Sequence, residues 1–582
     1  MTSTGIAADA SSGAFERQLR RFEPIQLVWA IVTLSVVAMV AVPVGYLVYS
    51  AFMAGGAFTF AEFTEAVTST GTVTALVNTL VYVTGTTIIS VLIGVPMAFM
   101  VERTNVSLVT KRVVRLTIIA SVITPGFLSA MSYVNLLGPN AGIINVWLRE
   151  LLNLDINRGP LNIFSLPAVL LLGAHSGIAY IYLITAASFS KMNPEFEEAA
   201  QITGASRWRI VRTVSLPLVR NAVFSGALVS MVSSFADYGT PHMVNYTVLT
   251  LRIREYIIRA DFAGAASASL LLIALSLILL GVYRLSIRKG DFATVSGKSF
   301  QPRTFDIGAW KHVIAVLVWL FAILAVILPI AGLFSTSILD RLGYGLRWDN
   351  LTLRHYAAIL SGSDSFAITA FLNSLFLATA AAIITSMMSV VIGYITVRRR
   401  TISSKALDYI SIIPLGLAGT ALAVALVLTA LNPPLRALGL YGTLWILLIA
   451  YVIRNFPLAL RPVQTTMSQI SPELEEAARM SGAGWLKTMW TVTMPLILPG
   501  VAAGFVLVFL GSLTEISASV VLRHIGTNTI STAILDIWEG RGGFQAASAV
   551  AVILFVLMVA VVLLAQLLSG GRMYSTRSAG DR

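Results

Sequence analysis

The chain has 582 residues, of which 57% are hydrophobic and only 12% charged, about half the charge of an ordinary soluble protein. That deficit excludes a string of soluble domains, and apolar stretches of twenty or more residues recur from end to end, each long enough to cross about 30 Å of hydrocarbon. The net charge of +13 does not indicate nucleic acid, because the basic residues sit in short loops without a basic stripe and interleaved aromatics, and the absence of cysteine excludes disulfides, iron–sulfur clusters and thiolate chemistry.

Residues 1–24 form a polar tail ending in Arg17, Arg20 and Arg21. The apolar run from Ile25 to about Tyr49 is too long for a signal-peptide core and lacks an evident cleavage site, so it reads as a retained first span. Further spans are expected near 75–100, 114–137, 165–190, 219–236 and 265–284, completing a first transmembrane domain over 25–287. A basic, polar linker occupies 288–310. The second domain, 311–570, carries spans near 312–335, 366–396, 407–430, 441–460, 496–520 and 545–569, and a tail covers 571–582. With the N-terminus inside, 27 Lys and Arg fall on the cytoplasmic side and 11 outside, with Arg454 and Arg461 in or beside span ten. This bias predicts that both termini are cytoplasmic.

The two sets of spans form a direct repeat. Asn78-Thr79-Leu80 opens span two as Asn373-Ser374-Leu375 opens span eight, Pro125 interrupts span three where Pro414 interrupts span nine, and Glu198-Ala199-Ala200 recurs as Glu476-Ala477-Ala478. Six plus six parallel repeats imply a pseudo-two-fold axis along the membrane normal, with a pathway at the interface between halves.

Two cytoplasmic segments carry a shared template. Asn193-Pro194-Glu195-Phe196-Glu197-Glu198-Ala199-Ala200 leads to Gly204 and then Val214, Leu216 and Pro217; Ser471-Pro472-Glu473-Leu474-Glu475-Glu476-Ala477-Ala478 leads to Gly482 and then Val492, Met494 and Pro495. The spacing predicts a short helix, a break and a second helix. Asn193 and Ser471 suit the N-cap, Pro194 and Pro472 the first helical position, and the glutamates complement the positive helix end. Gly204 and Gly482 can end the first helix in the left-handed conformation. The alanines leave a face that another backbone can approach closely.

This pattern resembles the EAA loop of permease subunits in binding-protein-dependent ABC importers, of the type with two halves fused in one chain. The resemblance implies an all-α polytopic membrane protein of the type I importer permease fold, with about twelve transmembrane helices as two parallel six-helix repeats. It further implies that each loop seats in a cleft of one of two cytoplasmic ATPase subunits, which hold ATP and Mg²⁺. A periplasmic solute-binding protein then docks outside, in the bacterial inner membrane. The coupling residues carried over are Glu198, Ala199, Ala200, Gly204 and Pro217, and Glu476, Ala477, Ala478, Gly482 and Pro495. No cofactor is expected on this chain and no enzymatic activity of its own. Its one Walker-like fragment, Gly297-Lys298-Ser299, has its preceding glycine, Gly290, six intervening residues away instead of four, in a basic linker.

The solute is read from softer signals. Leu136-Leu137-Gly138-Pro139-Asn140-Ala141-Gly142-Ile143-Ile144-Asn145, Phe235-Ala236-Asp237-Tyr238-Gly239-Thr240-Pro241, Tyr451-Val452-Ile453-Arg454-Asn455-Phe456-Pro457 and Arg461-Pro462 look like the ferric-iron permease group. That group shares features with permeases for 2-aminoethylphosphonate, thiamine and polyamines. The five histidines show no close ligand spacing, so no metal site is expected. Asp237 and Glu515, 278 residues apart at the outer ends of spans five and eleven, are candidates with Tyr238 for the substrate pathway. Either the two carboxylates line its outer mouth and favour a cationic solute, or they sit in the interface binding water or capping loops. Arg454 either pairs with a carboxylate or snorkels to the cytoplasmic face. A twelve-span secondary transporter shares the layout but not the paired EAA segments. A membrane-embedded enzyme lacks support, with no G-x-S-x-G, H-E-x-x-H or paired intramembrane aspartates.

Overall fold

The computed structural model describes residues 24–54, 57–154, 158–287, 304–362, 365–398 and 401–568. The tail before residue 24, most of the linker with Gly297-Lys298-Ser299, and the tail after residue 568 lie outside the described residues. Among the described residues, ten helices are long and apolar enough to cross a membrane, and counting each of two bent pairs as one span gives up to twelve.

In the first half these are α1 (Pro24–Phe52), α2 (Thr70–Arg103), the bent pair α3 (Leu108–Ile123) and α4 (Gly126–Leu137), α5 (Leu166–Ser190), α7 (Leu216–Phe235) and α9 (Phe262–Ile287). Between them lie the short α6 (Glu195–Ile202) and α8 (Leu249–Ile258). The second half repeats the plan with α10 (Trp310–Ala322) running into α11 (Leu328–Ser337), α12 (Ser365–Arg398), the pair α13 (Ile402–Gly416) and α14 (Gly419–Leu431), α15 (Leu444–Ser468), α16 (Glu473–Met480), α17 (Met494–Leu513), α18 (Ile530–Asp536) and α19 (Gly543–Leu568).

Spans three and nine are interrupted, as their prolines suggested; α3 meets α4 at 100° and α13 meets α14 at 106°. The first break falls at Thr124-Pro125, where proline cannot donate to the preceding turn. The second falls at Leu417-Ala418, and Pro414 stays inside α13. Pro125 therefore corresponds to Ala418, and Gly126 to Gly419. The pairing of Pro125 with Pro414 was misled by residue type.

Spans five and eleven start earlier than hydropathy suggests, each through a π-helical turn, Val211–Ser215 and Met489–Thr493. Pro217 and Pro495 follow these turns at the second helical position. Proline has no N–H to give, so widening the turn before it lets the helix resume without a clash. Ile323–Ile327 before Pro329 repeats the device.

Helices approach closely through glycine at equivalent places. A Cβ on Gly226 would lie 3.0 Å from the Ile181 Cα, and one on Gly504 would lie 3.0 Å from the Ala459 Cα. Such contacts are the usual route to tight packing in lipid, where water gives no drive for helices to associate.

The sequence halves are not separate bodies. α1 packs on α12, α13 and α14 of the second half, while the α10–α11 span packs on α3 and α4 of the first. Tyr46 donates to the Pro433 carbonyl at 2.6 Å, and Ser132 to the Pro329 carbonyl at 2.6 Å. Each half thus lends its first span to the other.

Candidate functional site

α6 and α16 begin one residue later than the template implies, with Pro194 and Pro472 at the N-cap and Asn193 and Ser471 just before it. Asn193 Oδ1 accepts the Glu195 N–H at 3.0 Å, and Ser471 Oγ accepts that of Glu473 at 3.4 Å. Both helices end on glycine with positive φ, +81° at Gly204 and +82° at Gly482, and a side chain at either position would meet open space. Glu476, Ala199 and Ala477 are exposed; Glu198, Ala200 and Ala478 are half-buried.

The buried acid is the preceding one. Glu197 and Glu475 are 4% and 6% exposed. Glu197 pairs with Arg103, the fully buried last residue of α2, and accepts the Ser215 hydroxyl at 2.6 Å. Glu475 pairs with Arg398, the last residue of α12, at 2.9 Å, and accepts the Tyr394 hydroxyl at 3.1 Å. These pairs were missed because the motif drew attention to Glu198 and Glu476. The signal was present: Arg103 and Arg398 occupy one repeat position, and so do Glu197 and Glu475.

Held on these bases, the two segments present matching exposed apolar side chains. Phe196, Ile202 and Trp208 in the first correspond to Leu474, Met480 and Leu486 in the second, each pair 278 residues apart. Ile202 is 87% exposed and Met480 89%. Each segment thus forms a knob with exposed apolar side chains, a feature that in general accompanies protein contact surfaces.

Between the halves lies a cavity of about 1060 Å³. Its wall includes Gly126, Ser176, Tyr180 and Asp237 from the first half and Arg454, Asn455, Thr514 and Glu515 from the second. Asp237 and Glu515 stand two residues beyond the ends of α7 and α17, where each carboxylate caps its own loop: Asp237 accepts the Thr240 N–H at 3.1 Å, Glu515 that of Ala518 at 2.9 Å. Their remaining oxygens differ. Asp237 accepts the Tyr82 hydroxyl at 2.7 Å, whereas Glu515 pairs with Arg454 at 2.6 Å. Arg454 also reaches the Leu417 carbonyl at 3.4 Å, at the break of span nine. Tyr238 is not on this wall; it is buried and stacks on His242 with centroids 5.2 Å apart.

The loops after α7 and α17 meet across the halves, where Ser517 donates to the Ala236 carbonyl at 3.2 Å. His242 adds a second tie, to Glu539 at 2.6 Å. That hydrogen bond holds the Glu539 carboxyl below its ordinary range against the opposing effect of burial. Among the other histidines, His355 meets the Leu339 carbonyl at 3.1 Å, while buried His175 leaves its Nε2 without a protein partner. Among the described residues, no three His, Asp or Glu side chains are grouped to hold a metal ion.

A family model described as binding-protein-dependent transport system inner membrane component matches residues 90–289 and again residues 386–573. The ferric transport system permease protein FbpB of Actinobacillus pleuropneumoniae is 27% identical over 394 residues, 66% of this chain and 55% of that protein. The Fe(3+)-transport system permease protein FbpB 2 of Haemophilus influenzae is 24% identical over 386 residues, 64% of this chain and 70% of that protein. The molybdenum transport system permease protein ModB of Escherichia coli is 32% identical over 124 residues, 21% of this chain and 54% of that protein. The chain spans about half the length of the first of these relatives.

Proposed function

The chain belongs to the family of binding-protein-dependent transport system inner membrane components, and from that premise we propose that it is the permease of an ATP-driven importer, taking ferric iron from a periplasmic binding protein. The observation that carries this reading is the duplicated knob: α6 and α16, each capped, each seated on an Arg–Glu pair whose carboxylate is buried, each presenting equivalent apolar side chains. Each knob docks one cytoplasmic ATPase subunit through Glu198, Ala199, Ala200 and Gly204, or Glu476, Ala477, Ala478 and Gly482, and the subunits hold the ATP and Mg²⁺. Pro217 and Pro495, behind the π-turns, stiffen the joint to α7 and α17. The excess of basic residues on the knob side supports cytoplasmic termini in an inner-membrane protein.

Closure of the ATPase subunits moves the knobs together and shifts the halves between two arrangements, opening the interface cavity to one side at a time. Asp237 and Glu515 form the outer mouth, where Arg454 offsets the charge of Glu515 and Asp237 remains the acidic group for a cationic solute. Iron is cargo here, supported by the relatives named for ferric transport and by the motifs shared with that group.

Uptake of labelled ferric iron by vesicles carrying the chain with its ATPase and binding protein tests the proposal. ATP-dependent uptake lost in a Glu198→Ala/Glu476→Ala variant supports both the solute and the docking role. An assembled, ATP-hydrolysing complex that takes up no iron overturns the iron assignment. Failure of any ATPase subunit to bind the chain overturns the importer reading.

A further inference from the structure

α2 and α7 run side by side and are joined at both ends by a carboxylate. At one end Glu197 of α6 takes Arg103 from α2 and Ser215 from the turn leading into α7. At the other, Asp237, just past the end of α7, takes Tyr82 of α2 at 2.7 Å, and Thr86 of α2 meets Ser234 of α7 at 3.1 Å. Arg103 and Tyr82 are 21 residues apart on one continuous helix, a lever of about 31 Å. The knob and the outer loop of the first half are thus corners of one closed frame.

The second half lacks the fourth corner. Leu377 stands at the repeat position of Tyr82 and has no hydroxyl to give. Thr493, at the position of Ser215, leaves its hydroxyl without a partner. Glu515 is tied instead to Arg454 of α15. Both halves otherwise anchor the chain beyond these loops alike: Thr79 accepts the Leu249 N–H at 2.8 Å, and Ser374 that of Ile530 at 2.7 Å. The halves thus differ at both ends of the frame, at the gate carboxylate and at the turn that leads into α7 or α17.

We propose that Tyr82 is a positioning residue for transport: through its bond to Asp237 it makes the first half a rigid frame that carries motion of the knob α6 to the outer loop, while the outer loop of the second half follows α15. The inference rests on the importer reading above, since it needs an ATPase to move the knob.

The absence of native cysteine allows a direct readout. Ala236→Cys and Ser517→Cys, placed where the two loops touch, report gate separation through the rate of bifunctional cross-linking in the reconstituted permease–ATPase complex. With Tyr82 intact, trapping the ATPase with ATP and vanadate slows cross-linking. In Tyr82→Phe, ATP hydrolysis continues but this response falls by at least about fivefold, the lower range of coupling between distant sites. Asp237→Asn, whose amide oxygen keeps the Thr240 cap while its NH₂ donates to the Tyr82 hydroxyl oxygen in the place of the second carboxylate oxygen, keeps the response, and so does Leu377→Phe. A response unchanged in Tyr82→Phe overturns the proposal. So does a response lost in Asp237→Asn with hydrolysis intact, which would assign the effect to charge. Should Tyr82→Phe fail to assemble, the Asp237→Asn and Leu377→Phe pair still decides the matter: loss in Asp237→Asn, or equal loss in Leu377→Phe, overturns it. If the parent complex with the cysteine pair shows no ATP-dependent change, the importer reading fails instead.

Discussion

Arg103 ends α2 with its side chain fully buried against the carboxylate of Glu197, inside the base of the first knob. The pair holds three elements in register, and its partners differ in kind from the surface ion pairs of the outer loops. Removing one partner leaves the other charged and buried, at a cost of about 3–5 kcal/mol. Glu197→Ala is therefore expected to lower the thermal midpoint of the purified chain sharply, and Arg103→Met/Glu197→Met to recover most of the loss. Equal destabilisation by the single and double variants would contradict the pairing.

The apolar knob tips predict a different phenotype. Ile202→Glu/Met480→Glu alters two side chains that touch little of their own chain, so stability should change by less than about 0.5 kcal/mol each. Docking of the ATPase subunits should weaken by about 2 kcal/mol or more per site, the scale of an interface hot spot. Co-purification and titration of the ATPase against the detergent-solubilised chain measure this; unchanged affinity would relocate the docking surface.

Gly482 takes φ of +82° with open space where a Cβ would go, so alanine there meets backbone strain alone, about 1–2 kcal/mol. Gly484, two residues on, has φ of −66° and equally open surroundings. Gly482→Ala should reorient α16 and impair ATPase coupling, while Gly484→Ala should not. Parallel ATPase assays of the two variants decide it.

At Gly504 the obstacle is backbone. A Cβ would stand 2.9 Å from the Ala459 carbonyl oxygen, which cannot swing aside as a side chain can. Gly504→Ala should push α17 from α15 and cost about 1–3 kcal/mol. Gly45→Ala, where nothing lies within 4 Å, should be neutral or stabilising, because glycine inside a helix costs about 0.5–1 kcal/mol. Melting temperatures in nanodiscs would reveal the contrast.

For the pathway, Asp237→Asn/Glu515→Gln removes both gate charges while keeping their caps. Iron uptake is expected to drop with ATPase assembly intact; uptake equal to the parent would show that these carboxylates only hold their loops.

Much of this architecture was legible in the sequence. Long apolar runs located the ten long helices and the two bent pairs, and the two EAA segments stood out because capping, glycine and proline each leave a residue-type signature. Pro125 marked the bend in span three, but the break of span nine at Leu417 carries no proline of its own, and Pro414 placed it three residues early. A break buried among neighbours needs no special residue when a distant group such as Arg454 satisfies it, and hydropathy records only apolarity. Tyr82 and Arg103 escaped notice, since each acts through a partner far along the chain, whereas of the two roles open to Arg454 in the sequence the structure realises the carboxylate pair, with Glu515. Asp237 and Glu515 were found through their repeat positions, which gave no hint that one would bind tyrosine and the other arginine.

The exchange of first spans between the halves bears on how the protein is made. Tyr46 and Pro433 are 387 residues apart in sequence, and translation at about 5–20 residues per second puts roughly 20–80 s between their syntheses. During that interval α1 already sits in the bilayer without its native neighbours α12, α13 and α14. The nascent chain must keep α1 close at hand until the second half arrives, and the last stage of biogenesis is then an assembly of preformed helices within the membrane.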